Sequence, residues 1–414
     1  MRPDVVFALT DTPFTPPPYS QKRLTKSIER SATWVADILR SLPGDASSSE
    51  PDTPRHPLNV FVHMVGGTSV PAREAFAYGL LETLHGPEAD AVRPLRCLDE
   101  GISGYAFDLA GLRSIKPSPN MSQHQSLPDD FLGLESQEMI QYPEAIIEAS
   151  SILPTGAELS APPNIASLLK ASLGELSEQK PRLVTGTRSP HEMLRLIRDV
   201  GVDLFDVGWA VDAANFGIAL DFCFPVPAGD DGVDGQCLGH NLYDATYAHQ
   251  FGRLADALVG AGERADGIIM QRLVCPCIAC SPRSPSSHIL HSVVDQQSYA
   301  TTTGGEAIVR YEKPYSRAYI HHLLHTHEMS AHTLLVAHNL AVVSAFLAGV
   351  RQVWVEDGDE SKSPRFALEA ERFSSAYDES GELFIAAEKD WRYVDRARGK
   401  GRLTRGKQED DENE

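Results

Sequence analysis

The first half of the chain alternates short apolar runs with longer segments whose apolar residues recur every three or four positions. The short runs predict buried strands, and the longer segments predict helices that bury one face. The predicted strands are PDVVFAL, LNVFVHMV, ISGYAFDL, PRLVTG, VDLFDVGW and GIALDFCF. The predicted helices are residues 22–42, 70–85 and 164–176, and a further helix beginning at SPHE, where Ser189 is the N-cap and Glu192 completes a capping box.

Repeated strand–helix units of this kind predict an α/β fold with a parallel sheet, either doubly wound or closed into a (β/α)8 barrel. Four or five such units precede Phe224, which is fewer than a complete barrel contains. The pattern therefore predicts a large part of such a fold and not the whole of it.

The hydrophobic pattern also predicts three regions along the chain. Residues 1–224 form the α/β portion, residues 225–352 a loop-rich and helical region, and residues 353–414 a C-terminal extension. Two polar stretches, about residues 113–160 and 281–313, are predicted insertions. The segment YSRAYIHHLLHTHEMSAHTLLVAHNLAVVSAFLAGVRQ predicts two helices. The tail from about residue 395 has a basic run followed by an acidic one and is predicted to be disordered.

Composition narrows the class of protein. The 414 residues are 42% hydrophobic and 23% charged, which are ordinary globular values, but the net charge is −20. A chain that binds nucleic acid without a partner usually has a basic surface, so this one does not fit that class. MRPDVVFALTDTPF lacks the features of a signal peptide. Residues 333–350 are apolar but include His338 and Asn339, and we expect a buried core helix and no integral membrane segment.

Half of the six cysteines lie in LVCPCIACSP, as Cys275, Cys277 and Cys280. In a chain without a secretion signal, a tight cysteine cluster indicates a metal site or catalysis more often than disulfides. The C-x-C-x-x-C spacing suits a tetrahedral zinc ion, which needs one more ligand besides the three cysteines. The spacing leaves that fourth ligand open among six histidines downstream: His321, His322, His325, His327, His332 and His338.

Several motifs together resemble the tRNA-guanine transglycosylases. CPCIAC, YSRAYIHHLL and VAHNLAVVSAFLAGVRQ resemble the zinc-binding C-terminal part of that family, and KPRLVTGTRSPHEMLRLIRDVGVDLFD resembles its penultimate βαβ unit. GYAFDLAGL is similar to an earlier unit, and HNLYDATYAHQFGRL looks like the accessory type of sequence within the family. The resemblance extends, with gaps at the two insertions, from about residue 2 to residue 352.

The resemblance implies a TIM-type (β/α)8 barrel with a zinc-binding C-terminal helical subdomain. It selects His338 as the fourth ligand beside Cys275, Cys277 and Cys280, with His322 as the fallback, and implies one structural zinc ion per subunit. It implies a non-catalytic subunit that forms a heterodimer with a catalytic one and reaches tRNA through that complex. The complex exchanges guanine for queuine at the wobble position of tRNAs with GUN anticodons. The implied location is the cytoplasm, including the outer surface of mitochondria.

The resemblance places Asp206 at the position of the family's carboxylate nucleophile, which gives an alternative hypothesis of a catalytically active transglycosylase. The competing interpretation is a carboxylate that caps the next turn. The segment after it, VGWAVDAANFG, lacks the basic turn of catalytic members. Leu9 stands at the base-recognising Asp position, or Asp11 in a shifted alignment, and Val65 replaces a glutamine. We therefore assign no catalytic residue to this chain, and the substrate-binding residues stay unassigned.

Two further expectations follow from the same resemblance. The family's first barrel strands and its general-base Asp precede the segment that PDVVFAL matches. We therefore expect the barrel to lack its first strands in this chain. Either the gene model is truncated at its start, or another chain covers the open edge. Family members dimerise through the zinc-bearing region, so YSRAYIHHLL and the helices after it are the expected partner surface.

Overall fold

The computed structural model describes residues 3–12, 19–41, 58–113, 164–227, 235–257, 262–263, 269–270, 275–282, 313–356 and 363–411. The chain divides into two compact units, Met1–Asp206 and Val207–Glu414. The two predicted insertions, about 113–160 and 281–313, lie outside the described residues except at their ends. The second unit begins near residue 207, and not at the predicted residue 225.

The first unit contains a five-stranded parallel sheet in which each strand lies beside its predecessor in the sequence. The strands are β1 (Val5–Phe7), β2 (Asn59–His63), β3 (Gly104–Asp108), β4 (Arg182–Thr185) and β5 (Leu204–Phe205). A doubly wound sheet would reverse its order partway, whereas this order winds in one direction, as in (β/α) barrels. The first five predicted strands are therefore confirmed as one α/β sheet.

Five α-helices lie between these strands in the described residues, and one of them begins at the predicted N-cap, Ser189. They are α1 (Gln21–Ser41), α2 (Val70–Leu81), α3 (Gly86–Ala91), α4 (Ile165–Leu173) and α5 (Pro190–Val200). Ser189 accepts a hydrogen bond from the Glu192 backbone N–H, as an N-cap does. Helix α2 ends four residues before the predicted residue 85, because the Leu84 N–H bonds to the Arg96 carbonyl and not to the preceding turn.

The second unit is mainly helical. Its elements are α6 (Gly208–Asn215), β6 (Ile218–Leu220), β7 (Gly239–Asn241), β8 (Gly262–Glu263), β9 (Ile269–Met270), α7 (Arg317–His325), α8 (Met329–Glu356), α9 (Pro364–Ala376) and α10 (Glu382–Asp411). The sixth predicted strand, β6, does not continue the parallel sheet, since it pairs antiparallel with β7.

The side chain of Asn339, on α8, explains why α6 and β6 belong to the second unit. Its Oδ1 accepts from the Leu220 N–H at 2.9 Å, and its Nδ2 donates to the carbonyls of Ala210 and Ile218. Asn339 is fully buried, so its amide loses its hydrogen bonds to water on folding. These three bonds take their place. One side chain therefore joins a helix and a strand that sequence periodicity assigned to the α/β portion.

Helix α8 is long and apolar enough to cross a membrane by length and composition, with an 18-residue window of mean hydropathy 1.9. Eleven of its residues are nonetheless buried inside the protein, including both His338 and Asn339. At Gly349 the helix packs closely against the backbone of Phe224. A Cβ atom added at Gly349 would lie 1.8 Å from the Phe224 carbonyl oxygen. These contacts are those of a core helix, as the sequence predicted.

The C-terminal extension is part of this second core. Phe373 on α9 packs edge-on or tilted against Phe222, Phe224 and Phe346, with ring centroids 5.7–6.1 Å apart. Aromatic pairs of this kind contribute about 0.5–1.5 kcal/mol each beyond their buried area. Helix α10 continues to Asp411 through the tail that was predicted to be disordered. Between residues 395 and 411 the tail contains four Arg and two Lys residues, which favour helices.

Replacing Asn339 with Ala is expected to destabilise the second unit by about 2 kcal/mol or more, because the Leu220 N–H would lose its buried acceptor. For a unit of this size, each kcal/mol lowers Tm by about 2–4 °C. Ser344→Ala, at an exposed position of the same helix, is the control and should change stability by less than about 0.5 kcal/mol. Equal Tm values for the two variants in calorimetry would contradict this role of Asn339.

Candidate metal centre

Three cysteines converge in a tight turn between residues 275 and 281. The Cys280 N–H donates to Cys277 Sγ at 3.2 Å, and the Ser281 N–H donates to the Cys277 carbonyl at 2.8 Å. The Ser281 hydroxyl closes the turn by donating to the Cys275 carbonyl. All three thiols are buried and none is in a disulfide. The turn therefore presents three sulfur atoms to the interior of the second unit.

His338 brings a nitrogen atom to the same point. Its Nδ1 lies 3.6 Å from Cys275 Sγ, 3.7 Å from Cys277 Sγ and 3.4 Å from Cys280 Sγ. Its Nε2 donates to the Leu220 carbonyl at 2.9 Å, so Nε2 keeps its hydrogen and Nδ1 is the nitrogen that faces the sulfurs. Metal-binding histidines typically have such a partner, which fixes the tautomer and the ring orientation.

The distances fit a tetrahedral metal ion. With bonds of about 2.3 Å to sulfur and about 2.0–2.1 Å to nitrogen, tetrahedral ligand atoms lie roughly 3.5 Å apart. The three Nδ1–Sγ distances are 3.4–3.7 Å, and all four ligand atoms lie within 4.8 Å of one another. The structure therefore brings the four predicted residues together as a buried group that could hold a metal ion.

The electrostatics of the group suit a cation. Hydrogen bonds with Cys275 and Cys280 hold the pKa of the Cys277 thiol far below its usual range, so Cys277 is a thiolate at neutral pH. Burial disfavours the charged imidazole of His338, but hydrogen bonds with Cys275 and Cys277 outweigh it and raise the pKa of His338 to about 9. A metal ion would displace the shared protons, so its binding would weaken as pH falls.

The fallback ligand, His322, does not join this group, because it is exposed on α7. His332 is also directed elsewhere, since its Nδ1 donates to the Ala214 carbonyl. Sequence spacing could not make this choice, because the Leu220 carbonyl that orients His338 lies 118 residues away in the chain.

A second cluster with metal-ligand chemistry, Asp221, His240 and Asp256, already contains a cation. The buried Arg317 places Nη2 2.7 Å from Asp256 Oδ2, 2.8 Å from His240 Nε2 and 3.9 Å from Asp221 Oδ2. Burial would raise the pKa of Asp221, but hydrogen bonds from His240 and two backbone N–H groups lower it, so this carboxylate is charged. We interpret the cluster as an ionic anchor for the start of α7.

The first unit has a cavity of about 210 Å³ at the carboxyl ends of β1 to β3, whose lining includes Asp11 and Val65. Arg23 binds Asp11 with both terminal nitrogens, at 2.7 and 2.6 Å, and Arg30 adds a third contact at 3.1 Å. The Arg23 hydrogen bonds hold the pKa of Asp11 below its usual value. The Asp11 carboxylate is therefore bound to the protein's own arginines, and Leu9, two residues after β1, is 68% exposed.

Asp206 follows β5, as the sequence predicted. Both of its carboxylate oxygens lie 3.2 Å from the Gly186 N–H, and its own N–H donates to the Val184 carbonyl. Gly186 directly follows β4 and has a positive φ of 76°. The carboxylate therefore caps the turn after the neighbouring strand β4, and not the turn that follows Asp206 itself.

Comparison with known proteins identifies one family for this sequence. The family of queuine tRNA-ribosyltransferases (TGT) matches residues 140–366, a little over half of the chain. That segment contains Asp206 and all four residues of the metal centre.

Individual relatives have the same kind of name. Proteins named queuine tRNA-ribosyltransferase accessory subunit 2 are 27% identical over 213 residues in Drosophila pseudoobscura pseudoobscura, 27% over 195 in Ixodes scapularis and 28% over 202 in Homo sapiens. These alignments span 51%, 47% and 46% of this chain, but only 35%, 38% and 40% of the relatives.

Replacing Cys277 with Ser is expected to remove the metal ion, because three ligands and a poorly matched hydroxyl do not form a closed site. The wild-type chain should hold about one metal ion, measured by mass spectrometry of the purified protein, and the variant close to none. Cys237→Ser is the matched control, since Cys237 is exposed and lies outside the group. If the Cys277→Ser variant held as much metal as the wild-type chain, the ion would have to bind elsewhere.

Proposed function

The chain belongs to the queuine tRNA-ribosyltransferase family, and from this premise we propose that it is the non-catalytic subunit of a heterodimer whose catalytic subunit exchanges guanine for queuine at the wobble position of tRNAs with GUN anticodons. The observation that carries this proposal is the similarity to proteins named accessory subunit 2. The chain spans less than half the length of those relatives, so the activity of the whole complex is part of the proposal.

The strand ends of the first unit support a non-catalytic role. A transglycosylase needs a free carboxylate to attack the ribose carbon and a fitted pocket for the flipped base. In this chain Asp206 caps the turn at Gly186, and Asp11 is bound by two arginines. Val65 supplies a buried apolar side chain where the family has an amide. The alternative, a catalytically active enzyme, would need these groups to be released.

We propose that the metal is zinc and that its role is structural. Three thiolates and one imidazole are the ligands that closed zinc sites use, and they leave no position for water or substrate. The residues that would hold it are Cys275, Cys277, Cys280 and His338. Bound there, the ion would join the cysteine turn to α8, and its binding energy would count toward folding.

We also propose that the parallel sheet is part of a (β/α)8 barrel whose remaining strands lie outside the described strands of the first unit. The support is the single winding direction of the sheet and the apolar edge strand β1, where Val5 and Phe7 are 40% and 43% exposed. Apolar sheet edges of this kind require a cover to avoid aggregation. An experimental structure of the complex that leaves β1 uncovered would contradict this.

The proposed partner surface surrounds the start of α7. Tyr319 is 44% exposed and its ring stacks on Tyr315, with centroids 5.4 Å apart. Two backbone hydrogen bonds bring further apolar side chains beside this pair. Tyr315 N–H donates to the Ala279 carbonyl, next to the exposed Ile278, and Arg317 N–H donates to the Gly252 carbonyl, next to the exposed Phe251.

An exposed apolar and aromatic surface of this composition is typical of a protein interface. This surface contacts the cysteine turn through the hydrogen bond from Tyr315 N–H to the Ala279 carbonyl. We therefore expect loss of the metal to cause loss of partner binding as well. We propose a cytoplasmic location, including the outer surface of mitochondria, because the three thiols must stay reduced. Subcellular fractionation would test this location.

The decisive experiment measures guanine–queuine exchange on tRNA by this chain, by its catalytic partner and by their mixture. We expect activity in the mixture and none from this chain by itself. Asp206→Asn in the mixture should leave the rate unchanged, because asparagine Oδ1 can still accept from Gly186 N–H. If Asp206 were the nucleophile, the same substitution would reduce the rate by about 10⁴-fold.

Replacing both Tyr315 and Tyr319 with Ala is expected to weaken the heterodimer. Removing aromatic residues at the centre of an interface costs about 2 kcal/mol or more, which is roughly a 30-fold increase in Kd. Tyr393→Ala, which removes a 75% exposed tyrosine from α10, is the matched control. Analytical ultracentrifugation that gives the same Kd for both variants would place the interface elsewhere.

A further inference from the structure

Two histidines on one face of α7, His321 and His325, have no part in the proposed function. They are four residues apart, so they lie one above the other on the helix. Their ring centroids are 4.3 Å apart with an interplanar angle of 47°. His325 is exposed and His321 is half-buried, so the pair can be reached from solvent.

The hydrogen bonds of the two rings determine their tautomers. His321 Nδ1 lies 2.9 Å from the Leu242 carbonyl, and His325 Nε2 lies 3.1 Å from the Tyr243 carbonyl. A carbonyl oxygen can only accept, so each of these nitrogens must have the hydrogen. The lone pairs that remain are on His321 Nε2 and His325 Nδ1, which have no hydrogen bond within the described residues.

This arrangement matches the pattern of metal-binding histidines, in which one ring nitrogen donates to a carbonyl or carboxylate and the other binds the ion. The two carbonyls are held in place, because Leu242 N–H donates to the Gly217 carbonyl and Tyr243 N–H donates to Asn241 Oδ1. Tyr243 also packs edge-on against the His325 ring, with centroids 5.9 Å apart. The rings are therefore oriented by the β7 end of the hairpin.

The charge around the pair suits a cation. Burial lowers the pKa of His321 and the neighbouring His325 lowers it further, so His321 is neutral at pH 7 and has its lone pair available. The negative charge of Asp244 acts on His321 in the opposite direction.

We propose that His321 and His325 form a second metal site, which takes a divalent transition-metal ion through His321 Nε2 and His325 Nδ1. Imidazole nitrogens select ions such as Ni²⁺, Cu²⁺ and Zn²⁺ over Mg²⁺ and Ca²⁺. Water would occupy the other coordination positions. The site is independent of the Cys3His group and, being open to solvent, is exchangeable.

The test uses the full chain with its Cys3His site loaded with zinc, titrated with Ni²⁺ in equilibrium dialysis. We expect one further metal ion per chain. His321→Asn and His325→Gln are the informative variants, because the amide nitrogen of each replacement can still donate to the Leu242 or Tyr243 carbonyl while the metal-binding lone pair is lost. Each should weaken Ni²⁺ binding by roughly tenfold or more.

His322→Gln is the matched control, since it removes an exposed imidazole from the adjacent position on α7. It should bind Ni²⁺ as the wild type does, and all variants should keep their zinc and their circular dichroism spectrum. The proposal is overturned if the wild type binds no additional ion, or if His322→Gln weakens binding as much as His325→Gln. Neither outcome depends on transglycosylase activity, so the proposed function is tested separately.

Discussion

Two consecutive buried side chains on α8, His338 and Asn339, determine how the second unit is built. Both are fully buried, and a buried polar group is stable only when its hydrogen-bonding atoms have partners. His338 finds its partners in the three thiols and the Leu220 carbonyl, while Asn339 binds the Leu220 N–H on the same strand. The carbonyl and the N–H of Leu220 are therefore both bound by α8. The same helix positions the Cys3His group and the β6–β7 hairpin.

The first unit holds two carboxylates near its strand ends in contacts with its own backbone and side chains. Asp206 binds a backbone N–H after β4, and Asp11 binds two arginines of α1. A bidentate arginine–carboxylate pair is among the stronger polar contacts in proteins, so Asp11 is firmly bound within the first unit. Both residues therefore contribute to the structure of the first unit.

Helix α7 connects the features of the second unit that face outward. Its first residue, Arg317, is anchored in the cluster of Asp221, His240 and Asp256, and the Tyr315–Tyr319 stack lies on the surface beside it. The opposite end of the helix holds the His321–His325 pair against the end of β7. The ionic anchor thus orients both the proposed interface and the histidine pair, because a helix of nine residues moves as one rigid element.

Local patterns in the sequence determined the five strands, the helix that begins after Ser189, the apolar character of α8 and the cysteine turn, because each depends on residues within a few positions. The resemblance to known sequences, and not spacing, selected His338 among six histidines. Tertiary structure decided what depends on contacts far apart in the chain. The hydrogen bond from Leu220 N–H to Asn339 joins β6 to the second unit, although the two residues are 119 positions apart. The contact of Phe373 with Phe222 places the C-terminal extension in the same core. Periodicity cannot record such contacts, since it reports which face of an element is buried and not against which partner.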